Sequence, residues 1–188
     1  IHKYYYNRSI ADGYTLRLIR EEIETTYNLE LKKTLEEIKI LRGNADKKEI
    51  YSHHKFVEPM LDYIVTDFEN SRISMNDNSI GAMVICDSSD QAKEMYRIFS
   101  EKYAVRANTM GMAAEPKASY GERKQHEIKL KTSAVILHDI GSKQDRKNWV
   151  DEFKDGKIDI LFVYNMLLTG FDAKRLKKLY IGRVIKSH

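Results

Sequence analysis

Cysteine, proline and glycine are all scarce in this chain. Its 188 residues include 1 cysteine, 2 prolines and 9 glycines. The lone thiol, Cys86, rules out an intrachain disulfide and fits a reducing compartment, so the expected localisation is cytoplasmic. Cys86 ends an apolar run and reads as a small core residue rather than a reactive thiol. So few prolines and glycines argue against long disordered linkers. No apolar run approaches the roughly 20 residues that span a bilayer. No signal peptide is visible either, and no membrane partner is expected. The opening Ile1-His2-Lys3-Tyr4 lacks an initiator methionine, and the end at Ser187-His188 is abrupt. Both suggest a fragment.

Charge of one sign is also missing. Lysine and arginine number 32 against 28 acids, for a net charge of +4. Such a balance permits anionic partners without demanding them. His53-His54 and His138-Asp139 lack further ligand-type neighbours at a recognisable spacing, so no metal site is expected. No Gly-x-x-x-x-Gly-Lys-Ser/Thr occurs, so no loop cradles a triphosphate in the P-loop manner. No Asp-Glu pair stands behind an apolar strand to hold magnesium. No catalytic residue is expected within this chain.

What is present falls into two parts. Residues 16–42 read as a helix with Ile23, Tyr27, Leu31, Leu35 and Ile38 on one stripe, and Gly43 as its C′ cap. Asp46-Lys47-Lys48-Glu49 has capping-box spacing and opens a second helical stretch. Pro59 sets a break near Glu58, with Met60, Ile64 and Phe68 continuing beyond it. Residues 71–79 read as loop. From residue 80 strands and helices alternate. Strands are expected at Ala82–Cys86, Ser133–Leu137, Ile158–Val163 and Leu176–Ile181, with another at Tyr103–Ala107. Helices are expected around Ala92, Met95, Tyr96 and Phe99, and over Gln144–Phe153. Residues 108–131 are ambiguous. Apolar strands separated by helices predict an α/β fold with a parallel sheet covered on both faces.

Chemistry gathers at the strand ends. Thr169-Gly170-Phe171-Asp172 follows the strand through Val163, and ligands of α/β sheets sit at the carboxyl ends of strands. The tetrapeptide offers a hydroxyl, a close backbone approach and a carboxylate. It reads equally as a strand-ending turn in which Gly170 supplies an unusual dihedral. Asp87, Ser88 and Ser89 end the first strand where a helix begins; their hydroxyls and N–H groups suit a phosphate, or Ser88 or Ser89 is a simple N-cap. From Asp172 to His188 the basic residues Lys174, Arg175, Lys177, Lys178, Arg183 and Lys186 face one acid. They track a DNA backbone or coat a solvated face. Asp151-Glu152 reads as solvated. Tyr4, Tyr5, Tyr6 and Tyr14 stack on bases or pack on the domain.

Met166-Leu167-Leu168-Thr169-Gly170-Phe171-Asp172, with Leu176 to Arg183 after it, resembles motif V of the motor (R) subunit of type I restriction-modification enzymes. These are superfamily 2 helicase-like DNA translocases. Gly81 to Ser89, with Ala92, Tyr96 and Phe99 behind it, is similar to motif IV. Ile136-Leu137-His138-Asp139 and the stretch Arg146 to Lys154 resemble the lead-in to motif V. Tyr5 to Tyr14 is similar to the passage between two motor domains. The resemblance covers about 80–183 and 4–27.

The resemblance implies a RecA-like second motor domain over 80–188, truncated before motif VI, preceded by an inter-domain and helical portion over 1–79. It implies ATP and magnesium as cofactors, held mainly by a first motor domain, and Gly170 and Asp172 on the nucleotide side. Thr169, Asp87, Ser88, Ser89, Lys174, Arg175, Lys177, Lys178 and Arg183 would lie toward DNA. Implied partners are double-stranded DNA and the methyltransferase and specificity subunits of a restriction complex. The implied whole is an ATP-dependent translocase and endonuclease, with this fragment inactive alone. Another superfamily 2 repair helicase, or a stand-alone α/β nucleotide-binding or interaction module, are the alternatives.

Overall fold

A computed structural model describes residues 32–37, 47–104, 132–167 and 171–182, with positions 8, 11 and 29 besides. Two helices come first, α1 (Lys47–Ser52) and α2 (His54–Met75), then β1 (Gly81–Ile85) and α3 (Ser89–Phe99). A π-helical turn (Ser100–Ala104) follows α3. Then come β2 (Ser133–Ile136), α4 (Lys143–Lys154), β3 (Ile160–Val163) and β4 (Leu176–Ile181). The strands form one four-stranded sheet in the order β2-β3-β1-β4. Every pairing is parallel, with Val84 opposite Phe162 on one side and Tyr180 on the other.

The strand period of two sorts the apolar side chains onto two faces. Ala82, Val84, Val135, Ile160 and Phe162 join one core with Leu61, Ile64, Val65 and Phe68 of α2 and Ala92, Met95 and Phe99 of α3. Met83, Ile85, Ala134, Ile136, Leu161 and Val163 meet Phe153 of α4 on the other face, with Trp149 beside it. Helices thus cover both faces, as the continuous apolar strands predict. Each fully buried large side chain, such as Phe99, Phe162 or Leu161, contributes about 1.5–3 kcal/mol. The expected boundary at 79/80 falls between α2 and β1, two elements of one core.

Several local expectations shift. The break expected near Glu58 lies at His53, and Pro59 sits inside α2. The helix starts there because His53 accepts the N–H of Lys55 on its Nδ1, and its carbonyl accepts from Phe56 and Val57. Pro59 removes only the bond to the Lys55 carbonyl, which is on an exposed turn that water can serve. The loop expected from 71 begins instead at Asn76, whose left-handed φ of 49° caps the helix. Ser71 bonds back to the Asp67 carbonyl and Ser74 to that of Ser71, so these polar residues stay helical.

Tyr96, expected in the helix after β1, lies in α3 and is 38% exposed, while Ile98 is buried. The strand expected from Tyr103 is contradicted as far as Ala104, which ends the π-helical turn. Tyr103 packs its ring on Phe99 at 5.4 Å and donates to Asp62. Gly43, residues 105–131 and most of the helix expected over 16–42 lie outside the described residues, although Leu35 packs on the first core.

The amino edge of the sheet is closed by two arginines. Arg72, 3% exposed, donates twice to the Ile80 carbonyl at 3.2 and 2.8 Å and once to the Asp159 carboxylate at 2.7 Å. Asp159 also accepts from the Thr132 hydroxyl at 3.0 Å. One guanidinium therefore links α2, the start of β1 and the start of β3. Arg175 donates to the carbonyls of Ser79, Phe153 and Ile158. Its cation lies 5.0 Å from the Phe153 ring centroid. Burial lowers its pKa below the ordinary arginine value, which leaves it charged at any physiological pH. Gly81 is required here, since a Cβ would stand 2.6 Å from Phe153 Cζ.

Arg72→Ala leaves the Asp159 carboxylate and the Ile80 carbonyl without this donor. Urea unfolding should show a loss of about 3 kcal/mol, the range for breaking one partner of a buried pair. Lys177→Ala, at an exposed site, should stay within about 0.5 kcal/mol. Equal effects of the two variants would contradict this account of the edge.

Candidate functional site

Parallel pairing sends all four strand carboxyl ends to one edge. β1 ends into Cys86-Asp87-Ser88 and then α3, on the first face. β3 ends into Tyr164-Asn165-Met166-Leu167, and the chain then crosses the second face to reach β4. On that face Phe171 packs against Phe153, with ring centroids 6.0 Å apart. Adjacent strands whose exits leave to opposite faces make a topological switch point, where open α/β sheets bind ligands. β1 and β3 are such a pair. The edge is knitted by Cys86 N–H to the Val163 carbonyl and Gly182 N–H to the Ile85 carbonyl, both at 2.8 Å. Gly182 has no room for a side chain: a Cβ would lie 3.0 Å from Met60 Cε and 3.1 Å from the Ile85 carbonyl oxygen.

The exit from β3 is strained. Asn165 and Leu167 take left-handed φ values of 53° and 59°. Asparagine tolerates this region, whereas for leucine it costs on the order of 1 kcal/mol. Strain of this kind collects at binding loops and switch regions.

The candidate residues divide by position. Asp87 is half-buried at the end of β1. Ser88 is 1% exposed, and its hydroxyl accepts the Gln91 N–H at 3.1 Å as the N-cap of α3. Of the two readings of Ser88, the cap is the one made in the fold. Ser89 is the first residue of the helix and half-buried. Asp172 and Lys174 are exposed on the crossover, and Lys177 is exposed on β4.

Two basic residues expected toward DNA are spent inside the fold. Arg175 closes the amino edge, opposite the strand ends. Lys178 points to the first face and pairs with Asp67 at 3.1 Å, which also accepts from the Tyr180 hydroxyl at 2.6 Å. The basic run splits because β4 alternates inward and outward residues. Thr169, Gly170 and Arg183, together with Tyr4, Tyr5, Tyr6 and Tyr14, lie outside the described residues. Asp151 is exposed and Glu152 half-buried. Burial pushes the Cys86 thiol far above its ordinary pKa, so it is inert core. Among the described residues no group of His, Cys, Asp and Glu is arranged to hold a metal ion, and no helix is long and apolar enough to cross a membrane.

Two residues at this edge were not picked out from the sequence. Arg146 donates to the carbonyls of His138, Ile140 and Gly141, at 3.2, 3.1 and 2.6 Å, fixing the loop after β2. Gln91 is fully buried. Its Oε1 accepts the Asp87 N–H at 2.7 Å, and its Nε2 donates to the Tyr51 carbonyl at 2.9 Å. The signal for Gln91 was legible as Ser88-x-x-Gln91, a capping-box spacing. The side chain reaches one residue past the cap.

This fold and edge define a parallel α/β domain with its loops collected at one switch point. A family described as type I restriction enzyme subunit R domain 3-like matches residues 115–188. The type I restriction enzyme SauCOLORF180P endonuclease subunit of Staphylococcus aureus strain COL is 52% identical over 42 residues, 22% of this chain and 4% of that protein. The SsaAORF53P endonuclease subunit of Staphylococcus saprophyticus is 56% identical over 34 residues, 18% of this chain and 4% of that protein. The matched stretches thus span a small part of these relatives. The solved Hef helicase domain of Pyrococcus furiosus superposes with a TM-score of 0.45 at 14% identity, covering 82% of this chain and 29% of that one. Over these stretches the chain is similar to the R subunits of type I restriction enzymes.

Lys93 and Asp139 form an ion pair that joins α3 to the loop after β2. The hydrogen bond from Lys93 holds the Asp139 carboxyl below its ordinary pKa, and the same bond raises Lys93. The stabilisation by Asp139 is complete above the ordinary carboxylate range and is lost as pH falls through its lowered folded pKa. Stabilisation by Lys93 is lost as pH rises through its raised folded value. Carboxyl carbon titration by NMR should place the Asp139 midpoint lower in the wild type than in Lys93→Met. Equal midpoints would mean the pair does not persist in solution.

Proposed function

We propose that this chain is the second motor domain of the ATP-dependent DNA translocase and endonuclease subunit of a type I restriction system. The observation that carries the reading is the switch point between β1 and β3. Its two exits bear the stretches that resemble motifs IV and V, and the family match over 115–188 includes the second of them. In this reading residues 80–188 are the motor unit and residues 1–79 the inter-domain and helical portion. The carboxyl edge faces a cleft shared with another domain of a longer protein. Asp172 and Gly170 stand on the nucleotide side, with Asp172 accepting from ribose hydroxyls. Asp87, Ser88 and Ser89 offer the start of α3 to a DNA phosphate. Thr169 couples the two sides, whereas Lys174 and Lys177 stand beside Arg175 and the strand starts, toward the amino edge. Opening and closing of the cleft moves duplex DNA, while methyltransferase and specificity subunits supply the recognition.

The described residues of this chain do not fit a magnesium site, and the sequence has no triphosphate cradle. In this reading ATP and magnesium belong mainly to the other domain, and hydrolysis is not a step for these residues. The isolated chain should turn over no ATP. It should bind duplex DNA weakly and without sequence preference. Neutralising two phosphates lowers affinity about tenfold between about 50 and 200 mM salt. Arg183→Gln, at the residue after Gly182, should flatten that dependence. Binding that resists salt, or prefers one sequence, would refute the backbone reading. In the longer protein Asp172→Asn should abolish DNA-stimulated ATPase while melting temperature and subunit assembly persist. Normal stimulated ATPase would remove Asp172 from the site.

A further inference from the structure

We propose that Gln91 is the positioning residue of the loop after β1, fixing its backbone and tying it to α1. A fully buried primary amide has one acceptor and two donors to satisfy. Gln91 directs the acceptor to the Asp87 N–H, 2.7 Å away, and a donor to the Tyr51 carbonyl at 2.9 Å. Its own N–H goes to the Ser88 hydroxyl. Three bonds from one residue thus set Asp87 and Ser88 and anchor them to a helix 40 residues earlier in the chain. Gly182 at the end of β4 closes the fourth side, where a Cβ would lie 3.7 Å from Gln91 Oε1.

An ordinary capping box would return this side chain to the N–H of the cap residue. Here it passes the cap and takes the N–H of Asp87, leaving its second end for α1. The loop geometry therefore depends on where α1 sits. A shift of α1 withdraws the Tyr51 carbonyl, frees the amide to rotate and releases the Asp87 N–H. In this way the helical portion before the sheet sets the phosphate-facing loop. This inference rests on the DNA reading of that loop for its consequence, but not for its geometry.

The test uses Gln91→Met and Gln91→Glu in the whole chain. Methionine fills the space and makes neither bond. A protonated glutamic acid makes both, its carbonyl accepting from Asp87 and its hydroxyl donating to Tyr51; the carboxylate cannot donate. Burial raises a carboxyl pKa, so the switch falls above the ordinary value of about 4.3. Asp87 is the titratable side chain adjoining position 91 in the loop. It and Asp90 are present in every variant, so each readout is taken as a ratio to the wild type.

Two readouts are taken at about pH 5 and about pH 8, either side of that shifted value: exchange of the Asp87 amide, and affinity for a short labelled duplex of arbitrary sequence. Gln91→Met should lose Asp87 protection and bind about tenfold more weakly at both pH values. Gln91→Glu should match the wild type at low pH; at high pH its carboxylate keeps the Asp87 bond but loses the tie to Tyr51, so it should fall between the wild type and Gln91→Met. Retained Asp87 protection in Gln91→Met, or no pH dependence in Gln91→Glu relative to the wild type, would overturn the proposal. No duplex binding by the wild type would instead overturn the DNA reading, and the Asp87 amide would still decide the positioning of the loop.

Discussion

The guanidinium of Arg72 is nearly sealed from water, yet it meets both the Ile80 carbonyl and the Asp159 carboxylate. A buried cation is tolerable only when its donors are satisfied. Here Nε and one terminal nitrogen bond to the entries of two adjacent strands. β1 and β3 are therefore held in register from their first residues, and α2 is fastened above them. Arg175 does the same from the β4 side with three backbone carbonyls. Both arginines occupy the amino edge.

The opposite edge follows from this. With strands parallel and their starts pinned, every exit emerges together. Covering both faces requires the chain to leave β1 on one side and β3 on the other. The gap between those exits is an outcome of topology, and it carries the left-handed Asn165 and Leu167 and the α3 cap. Bonds along this edge run between elements: Gln91 to α1, Lys93 to the loop after β2, and Gly182 to β1. Movement of one element is consequently felt by its neighbours.

Much of this was readable in the sequence, and the failures share a cause. The apolar runs of β1, β2 and β3 gave the parallel sheet because each is buried on both faces. Val84, Phe162 and Tyr180 sit where a period of two puts them. The ends of α2 were misread because composition suggested loop at Ser71 and a break at Pro59. Side-chain bonds to backbone and the tie from Arg72 outweigh those local preferences. Places along the chain were legible, but side-chain orientations were not. Asp87 and Asp172 were found from strand ends, whereas Arg175 and Lys178 looked like their basic neighbours. Nothing local shows that the partners of Arg175 lie at Ser79, Phe153 and Ile158, or that Lys178 meets Asp67 from another helix. Gln91 carried a helix-cap signature that concealed its longer reach.

The central claim is that the carboxyl edge, not the amino edge, is the working surface. Hydrogen–deuterium exchange of this chain with and without duplex DNA tests it directly. Protection on binding should appear at 87–91 and at 164–172, around the two exits. The starts of the strands at 77–81 and 157–160 should exchange the same in both states. Protection confined to those starts, with the exits unchanged, would contradict the account.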